Sequence, residues 1–222
     1  FNFLIFGQLT PPNPSDDRKN IFKTMKVISD TFAENEDVGI VIKSNVGRSS
    51  IIDYKAIQGI ITSACQHMKI KKKRHLLHGS FSDDDLNNLY KTESVKATIS
   101  LTRGEGFGLP ILESAAAGLP VIATGWSAHT DYMKNDAYLK VKYNLEEVSD
   151  SRIDANLFMK GAKWAEFTHK SATENLKNFY KYPKIYQKKA EKHQETILET
   201  HSFRSIANTY SQTFGEVLCL GT

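Results

Sequence analysis

The sequence predicts a doubly wound α/β fold, a parallel sheet with helices on both faces, followed by a helical extension at its C-terminal end. Two observations carry that expectation. Through the first two thirds of the chain, short apolar runs alternate with segments whose apolar residues recur every three or four positions, and strand–helix alternation of this kind builds a parallel sheet buried on both faces. From Asp154 onward the pattern changes to one helical stretch after another.

Strands are expected at 2–6, 38–43, 75–78, 96–101, 120–123 and 137–142, each a short run rich in apolar residues of strand length. The first helix follows from Ile21, Met25, Ile28 and Phe32, whose spacings of four, three and four line one helical face. A second is expected over 52–68. Ser82 precedes Asp83, Asp84 and Asp85 and then the apolar pattern Leu86, Leu89, Tyr90. That is the order of a helix start, with Ser82 as N-cap and the carboxylates at the positive end of the dipole. The cluster also resembles an acidic D-x-D metal motif, but no strand feeds it, and the capping reading is preferred. The tail is expected to be helical throughout, over 157–167, 171–180, 185–199 and 203–218, with Pro183 as a break and Trp164 as a packing residue in the first of these helices.

A chain of 222 residues with 40% hydrophobic and 24% charged residues has the apolar surface for one substantial core, which excludes a disordered chain. Its 29 Lys and Arg against 25 Asp and Glu leave a charge of +4, suited to a small anionic ligand or an acidic surface and too weak to argue for nucleic acid. Cys65 and Cys219 stand apart and outside any ligand-spaced group, which points to a reducing, cytoplasmic compartment. No apolar run approaches the roughly 20 residues needed to span a bilayer. The run KIKKKRH from Lys69 to His75 reads either as a solvated connection or as a peripheral contact with anionic lipid at the inner face of a membrane. A strand that begins without an initial Met suggests that the natural protein is longer.

In open parallel sheets ligands bind beyond the carboxyl ends of the strands, where the segment after strand 96–101 lies. Gly104, Gly106 and Gly108 let the backbone approach a ligand closely, and Pro110 suits the first turn of a helix, where its missing N–H costs nothing. Free amides at such a helix start face an anion, and a diphosphate is the obvious candidate; glycines of this kind also simply turn a chain. Glu113 lies in an otherwise apolar or small-residue run, LPILESAAAGLPVIA, where a carboxylate needs hydrogen-bond donors. A ribose diol supplies two; a place on the solvent face or a nearby backbone amide would also account for it. His129 and Asp131 follow the next strand and are weaker candidates for the same cleft.

Taken together, RGEGFGLPILESAAAGLPVIAT resembles the E-x7-E signature of retaining glycosyltransferases of the GT-B architecture, most closely glycosyltransferase family 4 (group 1), with seven residues between Glu105 and Glu113. FGQL and RKNI near the start, VIK at a strand end, HGSFSDDDLNNLY, KWAEFT and HSFRSIA extend the resemblance over nearly the whole chain. It covers only the C-terminal, donor-binding domain of that family. It implies a Rossmann-like nucleotide-sugar-binding core over 1–150, a helical extension of the same domain over 151–222, and an N-terminal acceptor domain outside this chain. The partners implied are a UDP-, GDP- or ADP-sugar donor and a glycan or lipid acceptor, the latter held by the other domain.

The resemblance also implies roles. Glu105 and Lys19 are the catalytic pair, Glu105 accepting hydrogen bonds from the sugar hydroxyls and Lys19 neutralising the diphosphate. Gly7, Gln8, Gly106, Phe107, Gly108 and Leu109 contact the donor, and Glu113 holds the ribose. With Lys19 and the helix amides stabilising the leaving diphosphate, no metal or other cofactor is required. One departure is plain: the family carries an Arg where this chain has Gln8, and Arg18, Lys43 or Arg103 are the candidates to replace its charge. The rival readings are another GT-B activity on nucleotide sugars, such as epimerisation, and a donor-binding or scaffolding module without turnover. A nicotinamide-binding domain fits less well, because the glycines follow a late strand.

Overall fold

The structure, a computed structural model, describes residues 1–9, 16–45, 47, 49–134, 136–154 and 158–219, with side chains as far as residue 215. Six strands form one parallel sheet: β1 (Asn2–Phe6), β2 (Gly39–Ser44), β3 (Lys73–His78), β4 (Val95–Ser100), β5 (Val121–Thr124) and β6 (Leu139–Val141). Their order is β3-β2-β1-β4-β5-β6, so the direction of winding reverses between β1 and β4. That reversal opens a crevice at the carboxyl ends of these two strands, where doubly wound sheets bind ligands. β1 lies in register with β2, from Asn2 opposite Gly39 to Phe6 opposite Lys43.

Alternation along the strands decides which helices each face receives. Phe3, Ile5, Ile40, Ile42, Ile99 and Ile122 point to one face and meet α1 (Ile21–Thr31), α2 (Ile51–His67) and α5 (His169–Lys181) in the larger core cluster. Leu4 and Val41 point the other way, onto Leu89 and Tyr90 of α3 (Asp83–Lys91). Val121 and Ala123 do the same for Ile111 and Ala115 of α4 (Leu109–Ala116) and Ile197 of α6 (Pro183–His201). The expected strands and the helices over 21–32 and 52–68 are therefore present. Ser82 caps α3 in a reciprocal box, its hydroxyl accepting from the Asp85 amide while the Asp85 carboxylate accepts from the Ser82 amide. Pro183 opens α6 rather than merely breaking the chain, because its fixed φ suits a first turn.

The expectation of an entirely helical tail is corrected. Residues 163–167, assigned above to a helix, form β8 (Lys163–Phe167), which pairs antiparallel with β7 (Tyr143–Glu147); Leu157, where that helix was to begin, lies outside the described residues. Trp164, Ala165 and Phe167 are buried, and a short apolar run of this length fits a strand as well as a helix. What decides it is a partner about twenty residues back in the sequence, reached without any tight-turn signal. Trp164 keeps the packing role expected of it, on a strand. The helical extension proper is α5, α6 and α7 (Phe203–Cys219).

Candidate functional site

The cleft at the crevice has a volume of about 470 Å³ and is lined by Gly7, Gln8, Lys19, Lys43, Gly79, Phe81, Leu109 and Glu113, among others. Two loops meet at Lys19, which lines the cleft. The loop after β1 is closed by Asp17, whose carboxylate accepts from the amides of Ile21 at 2.6 Å and Lys19 at 2.9 Å and so starts α1. Burial raises the Asp17 carboxyl, and those amides together with Arg103 act against the rise. The loop after β4 is tied to the first by the Arg103 amide donating to the Arg18 carbonyl at 2.9 Å. This fixes Lys19 opposite Glu105: its ammonium donates to both carboxylate oxygens at 2.6 and 2.8 Å. Arg18 donates to the Gly104 carbonyl and lies 3.5 Å from Glu105 Oε2. Ser127 clamps Glu105 from behind, its hydroxyl accepting from the Glu105 amide at 2.7 Å and donating to the Glu105 carbonyl at 2.6 Å.

The glycines divide by physical role. At Gly7 a Cβ would lie 2.5 Å from Ile21 Cδ1, so the buried Ile21 side chain would have to shift to admit one. Gly108, at φ +85, adopts the left-handed conformation that starts α4 and that Cβ-bearing residues disfavour. Gly104 and Gly106 are different: neither has a positive φ, and a Cβ at either would meet nothing within 4 Å. Protein packing does not demand glycine there. The amides of Phe107, Gly108 and Leu109 have no protein acceptor among the described residues, as expected for groups at a helix start. Tyr132 sets their direction by donating to the carbonyls of Phe107 and Gly108 at 3.0 and 2.8 Å. The side chains of Phe107 and Leu109 are exposed on the rim.

Glu113, one helical turn further along α4, faces the cleft and accepts a hydrogen bond from Tyr90 at 2.7 Å. Burial first, then this bond and the Glu113 charge, push the Tyr90 phenol far above its ordinary pKa, so it remains a donor. The opposite end of the cleft holds Lys43, whose ammonium donates to the Gly79 carbonyl and sits 4.3 Å from the Phe81 ring centroid; burial pulls its pKa down.

Not every expected residue comes to the cleft. The Arg103 guanidinium turns behind it, donating to Glu166 at 2.7 and 2.8 Å and to the Asp17 carbonyl at 3.0 Å while lying 4.6 Å from the Trp164 ring. It buttresses the two loops against β8. Gln8 is exposed on the rim, and of Arg18, Lys43 and Arg103 it is Arg18 that lies beside Glu105, at 3.5 Å. His129 is fully buried beneath the Gly108 turn, with Nε2–H donating to the Thr124 carbonyl at 2.7 Å; burial lowers its pKa. Asp131 is exposed. Asp17, Tyr90, Ser127, Tyr132 and Glu166 were not singled out as site residues in the sequence; apart from Asp17, whose partners are local, the site partners of these residues lie 22 to 63 residues away. The basic run 69–75 enters β3 at the far end of the sheet, where Lys71, Lys72 and Lys73 share a groove with Asp30, Glu34 and Glu36. No helix among the described residues is long and apolar enough to cross a membrane.

Residues 62–157, which contain α4, Glu105 and Glu113, match the family model for glycosyl transferases group 1. The serotype-specific mannosyltransferase WbdA of Escherichia coli is 28% identical over 121 residues, covering 54% of this chain and 13% of that protein. The chain thus spans about an eighth of the length of this relative. Among solved structures, Anabaena HepE, crystallised in complex with UDP and glucose, superposes with a TM-score of 0.65 at 10% identity, over 97% of this chain and 48% of its own. The C-terminal domain of a group 1 glycosyl transferase, LpcC of Francisella tularensis, superposes with a TM-score of 0.59 at 15% identity, over 90% of this chain and 85% of that one. Sheet order and superpositions agree on the fold: this chain folds like the GT-B glycosyltransferase domains it superposes on, and over residues 62–157 it resembles the glycosyl transferases of group 1.

Proposed function

We propose that the chain binds a nucleoside-diphosphate sugar in this cleft and, with a further domain supplying the acceptor, transfers the sugar with retention of configuration. The observation that carries this reading is the arrangement around α4: amides at residues 107–109 with no acceptor among the described residues, and Lys19 and Glu113 lining the same cleft as Leu109. The diphosphate lies over the amides and Lys19, with which its charge is complementary. Glu113, oriented by Tyr90, accepts from the ribose hydroxyls, and the base extends toward Lys43, Gly79 and Phe81. Glu105 accepts from the sugar hydroxyls. HepE is described with UDP and glucose and WbdA as a mannosyltransferase; a hexose donor is the corresponding reading for this chain.

In transfer, the bond between the anomeric carbon and the β-phosphate oxygen breaks with its electron pair left on that oxygen. The anomeric carbon bonds to the acceptor hydroxyl oxygen, whose proton passes to the diphosphate or to solvent. Charge develops on the departing diphosphate, and donors already aimed at it act as the electrophilic catalyst. Gln8 removes one family cation, and Arg18 takes over its electrostatic part.

The test is calorimetric titration with UDP, GDP and ADP and the corresponding hexose conjugates, with divalent metal chelated. One nucleotide series should bind saturably, and Glu113→Gln should weaken it about tenfold, or 1.4 kcal/mol. Binding unchanged in Glu113→Gln would remove the ribose assignment.

A further inference from the structure

Lys19 has two claimants. Its ammonium carries three N–H donors, of which two are committed to Glu105 at 2.6 and 2.8 Å, while the proposed diphosphate lies on the same group. The Glu105 side chain is only 7% exposed, so a diphosphate that draws Lys19 away leaves a carboxylate with little water and, among the described residues, only Arg18, at 3.5 Å, as a charge partner. An under-paired buried charge is costly. A hexose on the diphosphate replaces the lost donors with its hydroxyls; a bare diphosphate does not, and its terminal phosphate brings further negative charge toward Glu105. The sugar hydroxyls and the amount of phosphate charge are what change when the sugar is transferred.

We infer that Glu105 discriminates between donor and product by competing with the diphosphate for Lys19. With the intact nucleotide sugar, Lys19 serves the diphosphate and the sugar satisfies Glu105. Once the sugar has left, Glu105 recaptures Lys19 and weakens the hold on the nucleoside diphosphate, favouring its release. This deepens the donor-site reading above and rests on it. Glu105 therefore both receives the sugar and limits product retention, and Lys19 links the two functions.

The prediction is a crossing pattern. Take the nucleotide series that binds, and compare the bare diphosphate with its hexose conjugate in wild type, Glu105→Gln, Lys19→Ala and the double variant by calorimetry. Glu105→Gln should bind the bare diphosphate about tenfold more tightly than wild type, because the competing charge is gone, and should bind the conjugate no more tightly. The gain should vanish when Lys19 is also replaced, a comparison that separates competition from a general change in the loop. Unchanged or weaker binding of the bare diphosphate by Glu105→Gln, with its melting temperature near wild type, overturns the inference and leaves the donor site standing. Failure of wild type to bind any nucleotide series overturns the donor site, and this inference with it.

Discussion

Glu166 stands where three elements meet. It accepts from Arg103 of the loop after β4, from Asn20 at 3.2 Å and from Lys23 of α1 at 3.1 Å. Burial by itself would raise its carboxyl; the charge of Arg103 and its hydrogen bonds, then Lys23, hold it below the ordinary 4.5. A carboxyl lowered by folding contributes stability above its unfolded pKa and loses that contribution as pH falls through the folded value. Glu166→Gln should therefore cost about 2 kcal/mol near neutrality, and the gap in melting temperature from wild type should close as pH drops below 4.5. A gap that persists unchanged in acid would contradict this role. Spacing and a local motif single out Glu105 and Glu113 in the sequence, whereas Lys19 is named there only through the family resemblance. The sequence leaves Glu166 illegible, because its guanidinium partner is 63 residues away, and without that partner it keeps Arg103 among the candidates to replace the charge missing at Gln8. Tyr90 reads as one apolar position of a helix; only the fold shows its hydroxyl under Glu113.

At the scale of elements, α4 and the turn before it do most of the positioning. Gly108 in the left-handed region aims the amides of 107–109, and Tyr132 holds the turn from below. Gly108→Ala places a Cβ 3.0 Å from Tyr132 Oη and adds about 1–2 kcal/mol of backbone strain, so both stability and nucleotide affinity should fall. Gly106→Ala makes the contrasting case: with open space around it, the melting temperature should stay at the wild-type value while nucleotide affinity falls about tenfold. A Gly106→Ala variant that binds as well as wild type would place the ligand elsewhere. Strands β1 to β4 were legible because each is a short separate run with an α-helix to follow. The β7–β8 hairpin was not, because its strands pair across a long loop and its apolar residues, Trp164, Ala165 and Phe167, do not distinguish a strand from a helix until the partner is known.

For the whole molecule, the reversal of winding between β1 and β4 places the two loops that carry Lys19 and Glu105 against each other, and the buttress of Arg103, Glu166 and Trp164 keeps them there. The side chains of Phe107 and Leu109, at the start of α4, are exposed. The chain by itself should bind donor yet transfer sugar to acceptors poorly, with turnover restored when the full-length protein is assayed. The most direct test of the donor site is a backbone amide NMR titration of the chain with the nucleoside diphosphate that binds in calorimetry. The account predicts that the largest shifts fall at Phe107, Gly108 and Leu109, with smaller ones near Lys19 and Glu113. Largest shifts at the amino ends of the strands, around the basic run 69–75, with residues 107–109 unmoved, would contradict it.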